Sequence, residues 1–320
     1  MKILHYALGF PPYRTGGMTK FCMDLMGKQH KDGHQVAMMW PGQMGFIHKS
    51  VSVHDRGIDK ISGIHSYEVI NPLPVSYDEG IAEFQAFTND CGRDVFNEFL
   101  GNYKPDVVHI HTLMGLHKGF LGAVKKQGIR LVFTAHDFFP VCPKVTMFRH
   151  GQICKSIDSC EKCGVCNSTA LSLVKIQVLQ SPLYRILKDF SLVKKLRKQH
   201  RDDYLSENTA DDSAAPVGTL EDFKHLRDYY GSMLSLMDAV HYNSTVTKSA
   251  YERVFELSNN CVIPISHSDV ADRRRVKSYS RWSANSPLRI RYLGPLGGAK
   301  GFFYSRRHLT HYGVKDRISA

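Results

Sequence analysis

Short apolar runs alternate with helical patterns along most of this chain, and this alternation narrows the folds that are open to it. The segments between the runs place apolar residues at helical spacing. Such a pattern favours a parallel sheet covered by helices on both faces, so we predict an α/β fold. The predicted strands are Lys2–Leu8, Gln35–Trp40, His65–Ile70, Pro105–Thr112, Arg130–Asp137, Ala239–Tyr242, Val262–Ile265 and Leu288–Leu293.

Composition limits the partners and the compartment. The net charge of +12 predicts an anionic partner, such as a phosphate compound, a nucleic acid or an acidic lipid surface. No apolar run has the length of a membrane span and no signal peptide is evident, so we expect a cytoplasmic protein. In that compartment the eight cysteines are expected to be thiols or metal ligands rather than disulfides.

The patterns change twice toward the C-terminus. Residues 1–268 read as one domain, interrupted at about 138–170 by a cysteine-rich insertion. Residues 269–287 are basic and polar, as a linker would be, and 288–320 begin a second α/β unit that stops early. We therefore predict an N-terminal domain followed by the truncated start of another.

A glycine loop follows the first predicted strand and reads Gly9-Phe10-Pro11-Pro12-Tyr13-Arg14-Thr15-Gly16-Gly17-Met18. Its prolines stiffen the loop, and Gly16 and Gly17 let another group approach the backbone closely. The helix that opens there offers free amides and the positive end of its dipole, which suit a phosphate. A tight turn without a ligand is the alternative, but the position after the first strand favours the phosphate.

Five of the eight cysteines crowd into one predicted loop, at Cys142, Cys154, Cys160, Cys163 and Cys166. The C-x-x-C-x-x-C spacing of the last three suits ligands of one metal ion. We expect a structural zinc held by four of the five, with an iron–sulfur cluster and free thiols as alternatives. The zinc would fix the loop rather than take part in a reaction.

The segment 171–201 combines apolar and basic residues, and Pro182 divides it into two predicted helices. A basic amphipathic helix can lie on an acidic membrane surface. The alternative, which the pattern favours, is an ordinary packed pair of helices with a solvated basic face.

Four features together resemble the family 4 glycosyltransferases of bacterial cell-surface polysaccharide synthesis. They are F-P-P-x-x-x-G-G at 10–17, P-D-V-V-H-I-H at 105–111, T-A-H-D at 134–137, and Asp238–Ser244. The resemblance implies the GT-B architecture, in which two Rossmann-like halves face each other across a cleft. The N-terminal half mostly holds the acceptor, and the C-terminal half most of the nucleotide-sugar donor. Members of the family retain the anomeric configuration and need no metal or other cofactor for catalysis.

The resemblance also implies roles for individual residues. Gly16 and Gly17 would meet the donor diphosphate across the cleft. His136 would be the catalytic residue, hydrogen-bonded to a hydroxyl of the transferring sugar, and His111 would line the same rim. Asp137 would either orient this site or simply start the following loop.

The C-terminal part departs from the family pattern. Lys300 matches the phosphate-binding lysine of the donor half, but Pro295 stands where the family has an arginine. The paired glutamates that hold the donor have no counterpart, and the residues after Gly301 do not continue the expected helix. We therefore expect a truncated or frame-shifted product; reading the other two frames of the coding DNA past Gly301 tests this.

Two histidines, His109 and His111, alternate along one predicted strand. We predict that they point to opposite faces of the sheet, so that at most one faces the cleft. His109 is then expected to be the packed, hydrogen-bonded one.

The expected function is transfer of a hexose from a nucleotide sugar to a saccharide or lipid-linked acceptor, at the cytoplasmic face of the membrane. The first alternative is a non-catalytic half that holds an acceptor or a partner. The second is a metal-cluster protein that binds nucleic acid. We expect no nucleic-acid partner, because aromatic residues do not interleave with the basic runs. A Rossmann oxidoreductase is disfavoured, because no G-x-G-x-x-G follows the first strand.

Overall fold

The computed structural model describes residues 1–268 except 12–13, 46, 48, 78, 150–151 and 208–213. The strands are β1 (Lys2–Tyr6), β2 (Gln35–Pro41), β3 (Ser52–Ile58), β4 (His65–Ile70), β5 (Val107–Ile110), β6 (Arg130–Ala135), β7 (Phe148–Arg149), β8 (Gln152–Ile153), β9 (Ala239–Tyr242) and β10 (Asn260–Val262). The helices are α1 (Gly17–Lys31), α2 (Phe84–Thr88), α3 (Asp94–Tyr103), α4 (Lys118–Lys126), α5 (Cys163–Cys166), α6 (Leu173–Leu179), α7 (Pro182–Leu187), α8 (Ser191–Glu207), α9 (Leu220–Leu234) and α10 (Thr245–Glu252). The predicted linker 269–287, the predicted second unit 288–320 and Lys300 lie outside the described residues.

Eight strands form one sheet in the order β10-β9-β6-β5-β1-β2-β4-β3, and β7 and β8 form a separate hairpin. Neighbouring strands of the large sheet are parallel, except for the antiparallel pair β3 and β4. From β1 the chain builds outward to the β3–β4 edge, and it then returns to the other side of β1 with β5. The carboxyl ends of β1 and β5 therefore border the point where the strand order reverses, which is where open α/β sheets bind ligands.

Both faces of the sheet are covered, as predicted. Along β2, Ala37 and Met39 belong to one hydrophobic cluster, whereas Val36 and Met38 belong to another. Successive residues of a strand point to opposite faces, so the two clusters lie on opposite sides of the sheet. The Val36–Met38 cluster includes buried residues of α1, and the larger cluster includes residues of α3, α4, α9 and α10.

The sequence patterns missed β3 and α2. β3 reads S-V-H-D-R-G-I and lies at the edge of the sheet, so it needs no apolar run. Its Arg56 pairs with Glu68 of β4 at 2.6 Å. Two other predictions need correction: the strand expected at Val262–Ile265 is Asn260–Val262, and the segment 171–201 contains three helices rather than two.

Candidate functional site

The start of α1 lies beside the reversal point of the sheet, after the carboxyl end of β1. Gly16 has a φ of 125°, which residues with side chains rarely adopt. No side chain caps α1, and its first turn contains no acidic residue. A Cβ added to Gly16 or Gly17 would meet no atom within 4 Å. The open amides of this turn are therefore able to bind an anion.

A row of buried histidines extends from α1 to the end of β6. His5 Nε2 lies 2.7 Å from Gln29 Oε1, and His5 Nδ1 lies 2.9 Å from His111 Nε2. His111 Nδ1 in turn lies 3.1 Å from His136 Nε2. We call these four residues, Gln29, His5, His111 and His136, the histidine chain.

A second hydrogen-bonded row runs beside the histidine chain. The Ile263 carbonyl accepts from His241 Nε2 at 2.7 Å, so Nδ1 of a neutral His241 is an acceptor. Thr134 Oγ1 lies 3.1 Å from that Nδ1 and 2.7 Å from His109 Nε2. Thr134 therefore donates to His241 and accepts from His109. This row confirms that His109 is packed and hydrogen-bonded.

The prediction that His109 and His111 point to opposite faces is wrong. Their ring centroids are 4.1 Å apart, and each lies 5.2 Å from the ring of His5. Side chains along a strand alternate with a period of two, so residues two apart share a face. The H-x-H spacing is therefore the signal of a shared polar stripe.

Burial holds these histidines in the neutral form near pH 7. Desolvation lowers the pKa of His5 to about 4 and that of His136 to about 4. It also lowers the pKa of His109 and His111 well below the usual value for histidine. An imidazolium at these positions would lose its hydration without gaining a carboxylate partner. The hydrogen bonds of the histidine chain thus join neutral rings.

His136 ends the histidine chain at the carboxyl edge of the sheet. Its Nδ1 atom is buried and has no hydrogen-bond partner. The ring of Phe21, in α1, lies 5.0 Å from the His136 ring, so the first turns of α1 stand next to this histidine. Asp137 Oδ1 accepts the N–H of Phe139 at 2.9 Å, an arrangement that supports the start of the following loop.

The five cysteines of the predicted metal loop share one region of the fold. Cys142 precedes the β7–β8 hairpin and Cys154 follows it, while Cys163 and Cys166 bound α5. Cys160, which precedes α5, has a φ of 57° in the left-handed region. Each of the five is a thiol rather than part of a disulfide.

Two of these cysteines, Cys142 and Cys160, accept hydrogen bonds at their sulfur atoms. Burial raises the pKa of Cys142 to about 12, although backbone N–H groups of Lys144 and Met147 donate to its sulfur and act in the opposite direction. The Cys163 thiol donates to Cys160, and this contact lowers the pKa of Cys160 to about 7. Of these sulfurs, that of Cys160 is therefore favoured as a thiolate, whereas the pKa values of Cys142 and Cys163 are raised.

Potential metal ligands converge at three places within the described part of the chain. In each, three ligand atoms lie within 4.8 Å of one another, and the groups are His5–His109–His111, Cys22–His111–His136 and Asp90–Cys91–His117. None of these three groups contains a cysteine of the metal loop. Within the described residues those five cysteines therefore share one region, but no three of their sulfurs lie within 4.8 Å of one another.

In the third group, Asp90–Cys91–His117, a proton on His117 accounts for the close contacts. His117 Nδ1 lies 3.5 Å from Asp90 Oδ1, and His117 Nε2 lies 3.1 Å from the carbonyl of Asn71. Burial acts to lower the pKa of His117, but contacts with Asp90 and Cys91 raise it to about 9. A protonated His117 therefore forms an ion pair with Asp90 and donates a hydrogen bond to the Asn71 carbonyl, although its Nδ1 atom has no hydrogen-bond partner.

Sequence reasoning missed His5, Gln29 and His241. The available signal was a histidine within each of the strands β1, β5 and β9, because β1 pairs His5 with His109 of β5 and β6 pairs Thr134 with His241 of β9. That signal becomes readable only when the strand order is known. A groove of about 780 Å³ over β2–β4 and α3 is lined by neither the α1 start nor His136, so groove size does not locate the site.

The structure thus defines a parallel α/β domain with a candidate ligand crevice at the carboxyl ends of β1, β5 and β6. Residues 15–156 match the sequence model of Glycosyltransferase Family 4, a segment shorter than half of the 320 residues. The matched segment includes Gly16, Gly17, His111, His136 and Asp137. It supports a glycosyltransferase family for this domain. No curated protein matches the sequence.

Several solved structures are weakly similar to this chain. Sucrose-phosphate synthase from Thermosynechococcus elongatus is 12% identical, with 82% of this chain and 47% of that chain covered, at a TM-score of 0.37. The catalytic domain of starch synthase IV from Arabidopsis thaliana, bound to ADP and acarbose, is 11% identical over 80% and 51% of the two chains, at a TM-score of 0.32. A putative UDP-N-acetylglucosamine 2-epimerase from Listeria monocytogenes is 9% identical over 77% and 74%, at a TM-score of 0.29. The chain spans about half the length of the first two, and such low TM-scores carry no conclusion about function.

Proposed function

We propose that this protein is a glycosyltransferase that moves a hexose from a nucleotide sugar to a saccharide or lipid-linked acceptor. One observation carries the proposal: the segment matched by Glycosyltransferase Family 4 supplies both an uncapped glycine helix start and a histidine with a free ring nitrogen, beside each other. Diphosphates bind at such helix starts. Ligands of open α/β sheets bind at the carboxyl ends of the strands.

Each residue has a role in this proposal. The amides that follow Gly16 and Gly17 bind the donor diphosphate. His136 accepts a hydrogen bond from a hydroxyl of the transferring sugar through Nδ1, and His111 holds the His136 ring in place. An oriented polar contact of this kind strengthens as charge develops in an oxocarbenium-like transition state. Asp137 supports the loop that follows.

We also propose the stereochemical outcome of the reaction, a further donor contact and the acceptor. Transfer retains the anomeric configuration and needs no metal at the reacting carbon. Lys300 contacts a donor phosphate. The acceptor belongs to cell-surface polysaccharide synthesis at the cytoplasmic face of the membrane.

A panel of UDP-, GDP-, ADP- and TDP-sugars tests the proposal by thermal shift and by hydrolysis. A ligand that binds only the folded state raises the melting temperature; at 100 times its Kd the stabilisation is about 2.7 kcal/mol. We expect one nucleotide class to raise the midpoint and its sugar to be released. If no donor shifts the midpoint and none is hydrolysed, the chain is at most a non-catalytic half that holds an acceptor or a partner.

A surface of exposed apolar and basic side chains supports a membrane partner. Large apolar side chains of α6 to α8 are exposed, which departs from the packed helix pair that the sequence favoured. Each of them is at least 45% exposed: Val174, Val178, Leu183, Ile186, Phe190, Leu192 and Leu196. Five exposed basic residues lie among them: Lys175, Lys194, Lys195, Arg197 and Lys198. We call these residues the apolar–basic surface.

The apolar–basic surface suits the interface of an acidic bilayer. Apolar side chains enter the headgroup boundary while lysine and arginine contact anionic lipids. None of the helices in the described ranges has both the length and the apolar character needed to cross a membrane. We therefore propose that these helices lie on the membrane and bring the site to a lipid-linked acceptor.

Replacing Leu183 and Ile186 together by glutamate should abolish sedimentation with vesicles that contain phosphatidylglycerol. Each change removes an apolar contact of about 1.5–3 kcal/mol and adds a repelled charge. Ile61→Glu is the matched control, because Ile61 is 72% exposed in the turn between β3 and β4. Equal sedimentation of the double variant and wild type would contradict the membrane assignment. Concentration-dependent dimerisation that the double variant abolishes would instead assign the surface to a second copy.

We also propose a structural zinc in the metal loop. The supporting observations are the C-x-x-C-x-x-C spacing, the N–H donors to Cys142 and the Cys160–Cys163 contact. Binding would draw four of the five sulfurs together around one ion, since zinc prefers four ligands in a tetrahedron. The ion would tie the β7–β8 hairpin to α5.

The purified protein should contain one equivalent of zinc, and Cys163→Ser should lose it together with several degrees of melting temperature. Cys261→Ser is the matched control, because Cys261 is an exposed free thiol in β10. Elemental analysis and thermal unfolding provide the measurements. A metal-free protein with the same melting temperature as the zinc-loaded one would contradict the assignment, and iron with sulfide would favour the cluster alternative.

A further inference from the structure

We propose that Gln29 is a positioning residue that decides, through His5 and His111, which ring nitrogen of His136 carries the proton. The direction of the hydrogen bonds depends on the histidine chain alone. Its consequence for a sugar hydroxyl rests on the proposed function.

The chain permits only two arrangements of its protons. His5 and His111 are 0% and 1% exposed, and each uses both ring nitrogens within the chain. A neutral imidazole has one N–H donor and one bare nitrogen acceptor. Every ring must therefore donate in the same direction along the chain, either toward Gln29 or away from it.

The two directions leave His136 in different tautomers. If the rings donate toward Gln29, His111 Nε2 donates to His5 Nδ1 and His136 Nε2 donates to His111 Nδ1. His136 Nδ1 is then a bare acceptor. If the rings donate toward His136, its Nε2 becomes the acceptor and its Nδ1 carries the proton.

Gln29 selects the first direction. It does so through the orientation of its amide: the oxygen lies 2.7 Å from His5 Nε2 and accepts a hydrogen bond, whereas the turned amide would donate from its NH2 group and reverse the chain. His5 Nε2 must therefore donate, and the direction of the other bonds follows. The unpartnered atom at the far end, His136 Nδ1, is then a lone pair rather than an N–H.

The neighbouring row does not impose a direction on the histidine chain. Its direction is fixed by the Ile263 carbonyl, and His109 makes its hydrogen bond to Thr134. His109 meets His5 and His111 through ring contacts only among the interactions described for these rings. Each row thus has its own terminal acceptor, Gln29 for one and Ile263 for the other.

A bare Nδ1 gives His136 a defined task in the proposed transferase. It accepts a hydrogen bond from a sugar hydroxyl and offers no proton to the leaving phosphate. A site with the opposite tautomer would present a donor instead, and a hydroxyl would have to rotate away from the position that favours transfer.

Gln29→Lys tests the proposal, because an ammonium can only donate and should reverse the chain. Gln29 is partly exposed on α1, so the fold should tolerate this change and the matched Gln29→Met, which has no polar group. Two-bond proton–nitrogen NMR of protein labelled at histidine reports which ring nitrogen is bare. The signals of His136 are assigned by their loss in His136→Asn.

In wild type we expect His136 to be protonated at Nε2 and bare at Nδ1. Gln29→Lys should invert this pattern, and Gln29→Met should give a mixture of both tautomers. Thr134→Val, which interrupts the neighbouring row, should leave the His136 signals unchanged. The same tautomer of His136 in wild type and Gln29→Lys would overturn the proposal.

Two other outcomes would also decide the question. Loss of the His111–His136 hydrogen bond when cobalt is added would indicate that Cys22, His111 and His136 hold a metal instead, and would overturn the proposal. The NMR measurement needs no donor sugar. An inverted tautomer in a protein that binds no nucleotide sugar would therefore support the role of Gln29 while contradicting the proposed function.

Discussion

Replacing Gly17 by aspartate should abolish the binding of nucleotide sugars and leave the fold intact or slightly more stable. A carboxylate in the first turn of α1 would lie where we propose that the donor diphosphate binds. A repulsion of only about 3 kcal/mol weakens binding roughly 100-fold. The same carboxylate interacts favourably with the helix dipole by about 0.3–1 kcal/mol. Binding and stability should therefore change in opposite directions.

Two neighbouring substitutions serve as controls for Gly17→Asp. Gly17→Ala should keep both the fold and donor binding, because its Cβ would meet no atom within 4 Å. Gly16→Ala should destabilise the fold by about 1–3 kcal/mol, because Gly16 has a φ of 125°. Calorimetric titration with the stabilising nucleotide and thermal unfolding measure the two effects. If Gly17→Asp binds the donor as tightly as Gly17→Ala does, the α1 start is not the diphosphate site.

Local sequence patterns predicted the parts of the fold that depend on local physics. The strands at His65–Ile70 and Ala239–Tyr242 have the predicted bounds, because each is followed directly by a breaker, Asn71-Pro72 and Asn243-Ser244 respectively. β3 was missed because an edge strand is held by backbone pairing and by the Arg56–Glu68 contact, which spans 12 residues. A pattern read within one segment cannot include a partner from another.

The residues of the candidate site also separate into those that local sequence marks and those that it does not. Gly16 and His136 were found because a helix start and a strand end are local features that the family motifs also mark. Gln29 and His5 were missed because their link to His111 joins residues 106 positions apart, through the pairing of β1 with β5. Only the strand order turns separate histidines into one hydrogen-bonded chain. The residues that we propose to contact a ligand are thus marked by local sequence, whereas the residues that orient them are not.

Exposed apolar residues give a third contrast between pattern and structure. The pattern of α6 to α8 favoured a packed helix pair over a membrane surface, although both need apolar residues at helical spacing. The choice depends on what covers those residues. Leu183 and Ile186 are 64% and 69% exposed, so the described part of the chain does not cover them.

Substitutions of His136 should lower transfer in an order that reports which ring atom acts on the sugar. His136→Ala removes both nitrogens, and we expect turnover to fall by roughly 10²–10³, as for the loss of one preorganised polar contact. An asparagine amide reaches about as far as Nδ1, and a glutamine amide about as far as Nε2. Since Nδ1 is the unpartnered atom and Nε2 is bonded to His111, His136→Asn should retain more activity than His136→Gln.

The measurement is turnover of the donor identified in the panel, with binding of the free nucleotide as the control. All three variants should bind the nucleotide as wild type does, because the diphosphate contacts are assigned to the α1 start. A loss confined to the rate constant would place His136 at the sugar rather than at the phosphate. The reverse order, with His136→Gln more active than His136→Asn, would mean that Nε2 serves the reaction. The bond from His136 to His111 would then have to open during turnover, and the histidine chain would not hold the ring that the reaction uses.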